Sequence, residues 1–391
     1  MRKRCAAALF ALILAGGNAG SEPSYRPDPK TVAAADNAFG LNLLHALDPD
    51  SAANVAISPT SIALVLQIVY NGARGATRQA MSRVLRLGSL SARDINFDNL
   101  ALLASLKDPD SQVKLTIANS LWINLSKHPL LPAFVDVNRK YYEAHIGDLV
   151  GAPRNVNAWV SKETQGLITQ ILSEVQEDDV AVIANAIYFK GTWTAPFDPA
   201  RTAAGEFSTS DGTKLMCQMM NKHDTFGYFR GANFEALRLR YGQNKRLSML
   251  ILLPDASTSL KAFMVGVNPE ALRFWMSQLR PVSLQVELPR FTAHYGRSLI
   301  ESLSTLGMGI AFNPANADFS GIAAATYLSK VEHKAVIQVD ESGTTAAAAT
   351  IAVPTLTSMP HTMAIDHPFF YAVTDEETGA LLFIGTLVKP P

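Results

Sequence analysis

The stretch VDESGTTAAAATIAVP, residues 339–354, decides how the rest of the chain is read. Its run of alanines favours helix, since Ala is the best helix former. Gly343 and the paired Thr344 and Thr345 start a helix poorly, and Ile351, Val353 and Pro354 favour extension or interrupt a helix. The segment suits neither state, and that indecision is a property a function can use.

Around it lies a chain of 391 residues, 48% hydrophobic, long enough to bury a large core. Its 34 basic and 34 acidic residues balance, which gives no electrostatic case for nucleic acid or an anionic membrane surface as partner. Residues 1–20 open with MRKR, continue with the apolar CAAALFALILA and end in the small residues GGNAG. That pattern predicts a signal peptide cut near Ala19 or Gly20, and hence a secreted, extracellular protein, or a periplasmic one in a bacterium. The apolar run is too short to span a bilayer. Cys5 falls inside it, so Cys217 is left alone without a disulfide and reads as a packed thiol, with no motif around it. Asn124-Leu125-Ser126 is the one glycosylation sequon, relevant only in a eukaryote.

The first hundred residues read as helical. Val32, Ala35, Phe39, Leu43 and Leu47 recur at helical spacing, and SPTSIALVLQIVYNGA has a cap at Ser58, Pro59 in the first turn and Gly72 at the stop. TRQAMSRVLRL reads as a short amphipathic helix. Strands follow: VKLTIANSLWIN alternates, and VAVIANAIYFKGTW is nearly continuous in apolar residues, as for a strand covered on both faces. Between them NVNAWVSKETQGLITQIL reads as helix, turn and a shorter helix. Beyond residue 200 come LRLRY, LSMLILLP, VSLQVELPRFTAHY, KAVIQVD, FFYAVTD and ALLFIGTLV as strands, with GRSLIESLSTLGM as a helix among them. No repeat or domain boundary interrupts the pattern, which predicts one α+β domain over residues 21–391.

No G-x-S-x-G elbow, H-E-x-x-H, zinc-spaced His or Cys set, P-loop or dinucleotide fingerprint is present, and the eight histidines are scattered. These absences lower the expectation of an enzyme without excluding one, since a triad can assemble across sequence, and no metal or cofactor is expected.

Several pieces, in this order and spacing, resemble the serpins, the serine protease inhibitor superfamily. They are NVAISPTSIALVLQIVYNGARGAT, NAIYFKGTWTAPFDPA, VELPRFTAHYGRSLIESLSTLGM, ADFSGI, VEHKAVIQVDESGTTAAAAT and DHPFFYAVTDEETGALLFIGTLVKP. The resemblance implies the serpin fold: three β-sheets, eight or nine helices, and an exposed reactive-centre loop over about residues 341–366. It also implies a mechanism. A protease cleaves the loop, whose N-terminal arm enters the main sheet as a new strand and carries the acylated protease with it, so that the inhibitor is consumed once and is not an enzyme.

The hinge residues of that arm are Glu341, Gly343, Thr344, Thr345, Ala346, Ala347, Ala348, Ala349 and Thr350. Their small side chains would pass existing strands with little clash, and Gly343 tolerates the reversal. From Thr344 to Thr357 the arm would span roughly 43 Å as a strand at about 3.3 Å per residue. The resemblance also implies that Glu341 pairs with Arg290 and that Ser58, Asn185 and His333 form a polar cluster beneath the sheet. Trp193 matches the tryptophan near the arm's entry point, and core packing alone would account for it equally well.

Counting from Glu341 and back from Pro368, the family spacing implies Thr357-Ser358 as the reactive bond, with Leu356 the alternative if the register slips. TIAVPTLTSMP holds no Lys or Arg, so a trypsin-like pocket has no anchor. An elastase-like target fits Thr357, and a chymotrypsin- or subtilisin-like one fits Leu356. Cysteine proteases can be caught by the same loop. Pro354 in the distal arm would remove one ladder hydrogen bond. Arg83, Arg86, Arg93 and Lys107 are too spread to predict a strong heparin site. A monomer is expected. The competing readings are a non-inhibitory carrier or chaperone of the same family, and a hydrolase with a dispersed triad.

Overall fold

Helices gather in the N-terminal part because its apolar spacing and its caps agree. The computed structural model describes residues 25–48, 52–341 and 361–390. α1 (Pro29–Leu47) starts where the Asp28 carboxylate accepts from Lys30 N, and α2 (Pro59–Tyr70) where Ser58 Oγ accepts from Ser61 N at 3.1 Å. Every residue of α2 is buried, which is what its all-round apolar sequence requires. α3 (Gly75–Val84), α4 (Ala92–Leu106) and α5 (Pro132–Tyr142) pack around α1 and α2. α6 (Arg154–Glu163), α7 (Leu260–Met264), α8 (Pro269–Gln278) and α9 (Ile300–Leu303) lie further along the chain.

Fourteen strands form two hydrogen-bonded sheets among the described residues. The smaller contains β2 (Val113–Ile123), β3 (His145–Asp148), β4 (Ala181–Gly191), β10 (Phe291–Ser298) and β11 (Leu328–Val339), in the order β10-β11-β4-β2-β3. The larger is built from β1 (Val55–Ile57), β5 (Ala203–Ser208), β6 (Lys214–Arg230), β7 (Phe234–Tyr241), β8 (Leu247–Pro254), β9 (Arg280–Pro289), β12 (Thr362–Ala364), β13 (Phe369–Asp375) and β14 (Leu381–Leu387). β6 ties it together, pairing with β5 and β9 along most of its length and with β7 at its end. Two of the three sheets that the resemblance implies thus run into one another through this strand.

The centre of the smaller sheet is unusual in one respect. β4 and β11 pair directly and in parallel, from Ala181 and Leu328 to Phe189 and Ile337, while β10 and β2 flank them antiparallel. β4 is buried on both faces, as its apolar run predicts. Ala181 and Ile183 face the core beside α2, whereas Val182, Ala184 and Ala186 face α6 and the segment after it.

That segment differs from the sequence reading. The shorter helix expected within QGLITQIL does not form, and residues 164–180 run as turns and extended chain. Gln165 and Gly166 take positive φ and turn the chain away from α6. The Asn157 carboxamide oxygen then accepts from Ile171 N at 2.8 Å and Leu172 N at 3.0 Å, so those donors are not available to a helix. The helix expected over residues 296–308 is likewise shortened, because residues 296–298 finish β10 and the chain kinks at Gly307, φ 108°. β6, α4, α5, α7 and α8 were not individually legible.

The 164–180 segment covers β2, β4 and β11. It buries Ile168 and Leu172 against the sheet and is tied by Lys334 Nζ to Gln170 O at 2.8 Å, by Val180 N to Ser329 Oγ at 2.7 Å and by Lys330 to Asp179 at 3.6 Å. Asn157→Ala leaves two partly buried N–H groups without an acceptor. It should cost about 1–3 kcal/mol of stability, read by urea unfolding, and should make residues 164–175 the first site of limited proteolysis.

Candidate functional site

Four residues on adjacent strands stand directly opposite one another: Arg297 of β10, His333 of β11, Asn185 of β4 and Asn119 of β2. Side chains opposite in register share a face, so a polar row crosses the sheet where its neighbours are apolar. His333 Nδ1 lies 2.5 Å from Asn185 Oδ1. Asn185 Nδ2 in turn donates to Ser61 Oγ at 2.6 Å, to Ser61 O at 3.1 Å and to Asn119 Oδ1. Because Asn185 Oδ1 can only accept, the neutral His333 ring carries its proton on Nδ1. Nε2 is buried and has no partner. Burial lowers the His333 pKa to about 3, because a charged ring would be stripped of water here. Arg297 reaches outward and donates to Leu47 O at the end of α1.

Ser58 stands one bond back from this row. Its hydroxyl caps α2 by accepting from Ser61 N, and the hydroxyl that meets Asn185 is that of Ser61. The correction follows from helix geometry: an N-cap side chain turns inward to its own helix, while Ser61 projects toward the sheet.

A second cluster marks the point where the chain leaves β11. Trp193 is buried, donates from Nε1 to Asp340 O at 2.8 Å and stacks on Tyr241 with ring centres 4.2 Å apart. Glu341 is buried beside it: Phe197 N donates to its backbone oxygen at 2.8 Å, and Thr202 Oγ1 to its Oε1 at 2.9 Å. Arg290 Nη1 lies 3.5 Å from the same Oε1, and its side chain is half exposed. At that distance and exposure the ion pair contributes little, and the Thr202 and backbone bonds do more to fix Glu341. Lys190 of β4 and Gln338 both reach the Asp340 carboxylate, at 3.7 and 2.9 Å, so β4 is bound to the end of β11 by side chains as well as by its ladder.

Gly343, Thr344, Thr345, Ala346, Ala347, Ala348, Ala349 and Thr350 lie outside the described residues, as do Leu356, Thr357 and Ser358 and the N-terminal residues 1–20. The described chain resumes at His361, whose Nε2 lies 3.0 Å from Glu235 Oε1, and pairs through β12 with β9. Ser61, Asn119, Arg297, Thr202 and Asp340 were not singled out by sequence. Each acts through a partner more than a hundred residues away, or through register across strands, and no local spacing records that. Cys217 is buried with its sulfur 3.5 Å from Met219 Sδ, and burial pushes its thiol pKa up, as befits a packed residue.

The model of the family described as Serpin (serine protease inhibitor) matches residues 34–390. Serpin B6 of Macaca fascicularis is 34% identical over 375 residues, covering 92% of this chain and 99% of its own. The human leukocyte elastase inhibitor is 31% identical over 380 residues, covering 92% of this chain and 99% of its own. The crystal structure of native protease nexin-1 with heparin superposes with a TM-score of 0.82 at 28% identity, covering 93% of this chain and all of that one. These relatives correct one expectation. A secreted, extracellular or periplasmic location does not stand, because Serpin B6 and the leukocyte elastase inhibitor are intracellular serpins. The parallel seam, the polar row beneath it and the buried, tied Glu341 therefore sit in a chain that one family model matches over residues 34–390, and that chain belongs to the serpins.

Proposed function

We propose that this protein inhibits serine proteases by a single-use trap in which residues 343–357, once cut, enter the smaller sheet between β4 and β11. The observation that carries this reading is the directly paired, parallel seam between those two strands. A chain that leaves the end of β11 and turns back must run antiparallel to β11, and so to β4 as well. It would replace one parallel ladder with two antiparallel ones, which bond slightly better per residue. β4 has 11 residues, or about 33 Å of strand, and the arm at roughly 43 Å is long enough to run its length. No bulky or charged side chain stands between Gly343 and Thr350. The uncut form is then held by a barrier rather than by depth of energy.

Thr357-Ser358 is the proposed reactive bond and Leu356 the alternative acyl-side residue, with an elastase-like or chymotrypsin- and subtilisin-like protease as the target class. That one relative is named an elastase inhibitor accords with this. Heparin is not proposed as a strong ligand: Arg83, Arg86, Arg93 and Lys107 are spread along the sequence, and Asp94 directly follows Arg93 on α4. Pro354 would leave one ladder position unpaired near the far end of the inserted arm.

Incubation with an elastase-type protease should give an SDS-resistant adduct, release a peptide starting at Ser358 and raise the melting temperature of the cleaved chain. Cleavage with neither adduct nor thermal gain would instead indicate a carrier, and unaided ester turnover a hydrolase. Thr344→Arg should add about 1.4 kcal/mol or more to the insertion barrier, slowing insertion at least roughly tenfold, so that most chains are cut without trapping the protease.

His333 makes the seam sensitive to acid. Its folded pKa of about 3 lies below the value of about 6.5 for a free histidine. The contribution of the neutral ring is complete above about pH 6.5 and is lost as pH falls toward 3. Protonation would place an N–H on Nε2 with nothing to accept it. Thermal melts on acidification should therefore fall faster for the wild type than for His333→Gln; equal slopes would remove His333 from the control of the seam.

A further inference from the structure

A second polar cluster lies at the other end of α2, where α1, α2, α4 and α5 meet. Asp36 of α1 is wholly buried, and its Oδ1 accepts from Gln67 Nε2 at 3.0 Å. Gln67 Oε1 accepts from Asn99 Nδ2 at 2.5 Å, and that amide also donates to the Tyr142 hydroxyl at 3.1 Å. Tyr142 donates to Asn96 Oδ1 at 2.8 Å. Asn96 and Asn71 exchange hydrogen bonds at 3.1 Å, and Asn71 donates on to Asn138 Oδ1 at 3.0 Å. The chain thus links all four helices through side chains alone.

It is short of donors. Asp36 Oδ2 and Asn99 Oδ1 are both fully buried and receive no hydrogen bond. A buried acceptor without a donor is costly, and a buried carboxylate without a cation far more so. The groups facing Asp36 supply no positive charge. α2 brings Gln67 and Tyr70, and α5 brings Tyr142. α4 brings Asn96 and Asn99, while its Asp98 accepts from the Tyr25 hydroxyl and from Asp28 N. β14, which packs against α1, reads LLFIGTL and has no titratable side chain. Glu301 of α9 and Glu270 and Arg273 of α8 lie on exposed faces.

We infer that Asp36 carries a proton in the folded protein, and that this proton is a working part of the helical joint: it makes Oδ2 the donor the cluster lacks, and its loss loosens α1 and α4 from α2. Burial, with no neighbouring charge to offset it, pushes the carboxyl well above its ordinary range, and the Gln67 hydrogen bond only partly opposes that. The folded chain therefore binds a proton that the unfolded chain releases near pH 4. The stabilisation is complete below that point and declines as pH rises toward the folded value.

Asp36→Asn keeps the shape and supplies a fixed donor. Melting temperatures of the full-length wild type and this variant, compared from about pH 5 to about pH 9, isolate Asp36 because other titrations, His333 included, are common to both. The wild type should lose about 1–2 °C per pH unit relative to the variant while Asp36 remains protonated when folded. A gap that stays constant, or that closes as pH rises, overturns the inference. Should the variant fail to fold, carboxyl-carbon NMR of the aspartate-labelled wild type at neutral pH decides. A protonated resonance that persists in Asp98→Asn supports the inference, and its absence refutes it. No protease enters either measurement, so the result is independent of the inhibitory reading.

Discussion

The parallel pairing of β4 with β11 is the constraint on which the rest of the structure depends. Both strands are central, both are flanked antiparallel on their outer edges, and no chain among the described residues lies between them. A parallel pair in the middle of a sheet, flanked antiparallel on both sides, is a place where one more strand, running the other way, would satisfy every backbone group it displaced and add a ladder of its own. What keeps the pair together meanwhile is local: its own hydrogen bonds, the His333–Asn185 contact, and the Lys190–Asp340 tie at the end where the chain departs.

The two faces of the seam are supported unequally. Beneath it stands α2, buried along its whole length and capped by Ser58. A helix with no exposed residue cannot shift without opening voids in a close-packed interior. Above it lies the 164–180 segment, which has no helix of its own and hangs on side-chain bonds from Asn157, Lys334 and Ser329. Its Ile168, Ile171 and Leu172 pack in two small clusters with Ala118, Ala186 and Tyr188 and with Trp122, Val182 and Ala184, apart from the main core. Such a cover is the part of a structure that opens first. If the seam parts as proposed, the cover rather than α2 is the side that would lift.

Elements with strong periodicity were legible. The all-apolar α2, the double-sided β4 and the alternating strands of the C-terminal half follow from residue spacing, as does the α+β class. Legibility failed where tertiary partners override local preference. The Asn157 side chain takes the N–H groups that a helix over 168–172 would have used, and β6 mixes exposed and buried positions because its partners change along its length. Of the candidate site, Glu341, Arg290, Trp193, Asn185 and His333 were found through family resemblance. Ser61, Asn119 and Arg297 were not, because what joins them is register between strands, and register is not written in any one segment. The compartment failed for a different reason: an apolar N-terminal run is a pattern over a few residues, and it was outweighed by relatives matched over nine-tenths of the chain.

Charge explains the choice of residues under the seam. If strands must part once, whatever bonds them across the parting line has to survive exposure to new partners. A buried ion pair would leave an uncompensated charge on each side, at several kcal/mol apiece. A neutral imidazole, two carboxamides and a hydroxyl lose only ordinary hydrogen bonds, each worth about 1 kcal/mol net, and can re-form them with an incoming backbone. The same α2 meets neutral Asn185 at one end and, on the inference above, a neutral acid at the other. Their pH dependences run in opposite directions, since acid charges His333 and base charges Asp36. The helix that floors the seam is thus seated between two groups that are both uncharged only in a middle range of pH, and it is in that range that the closed sheet has its firmest support.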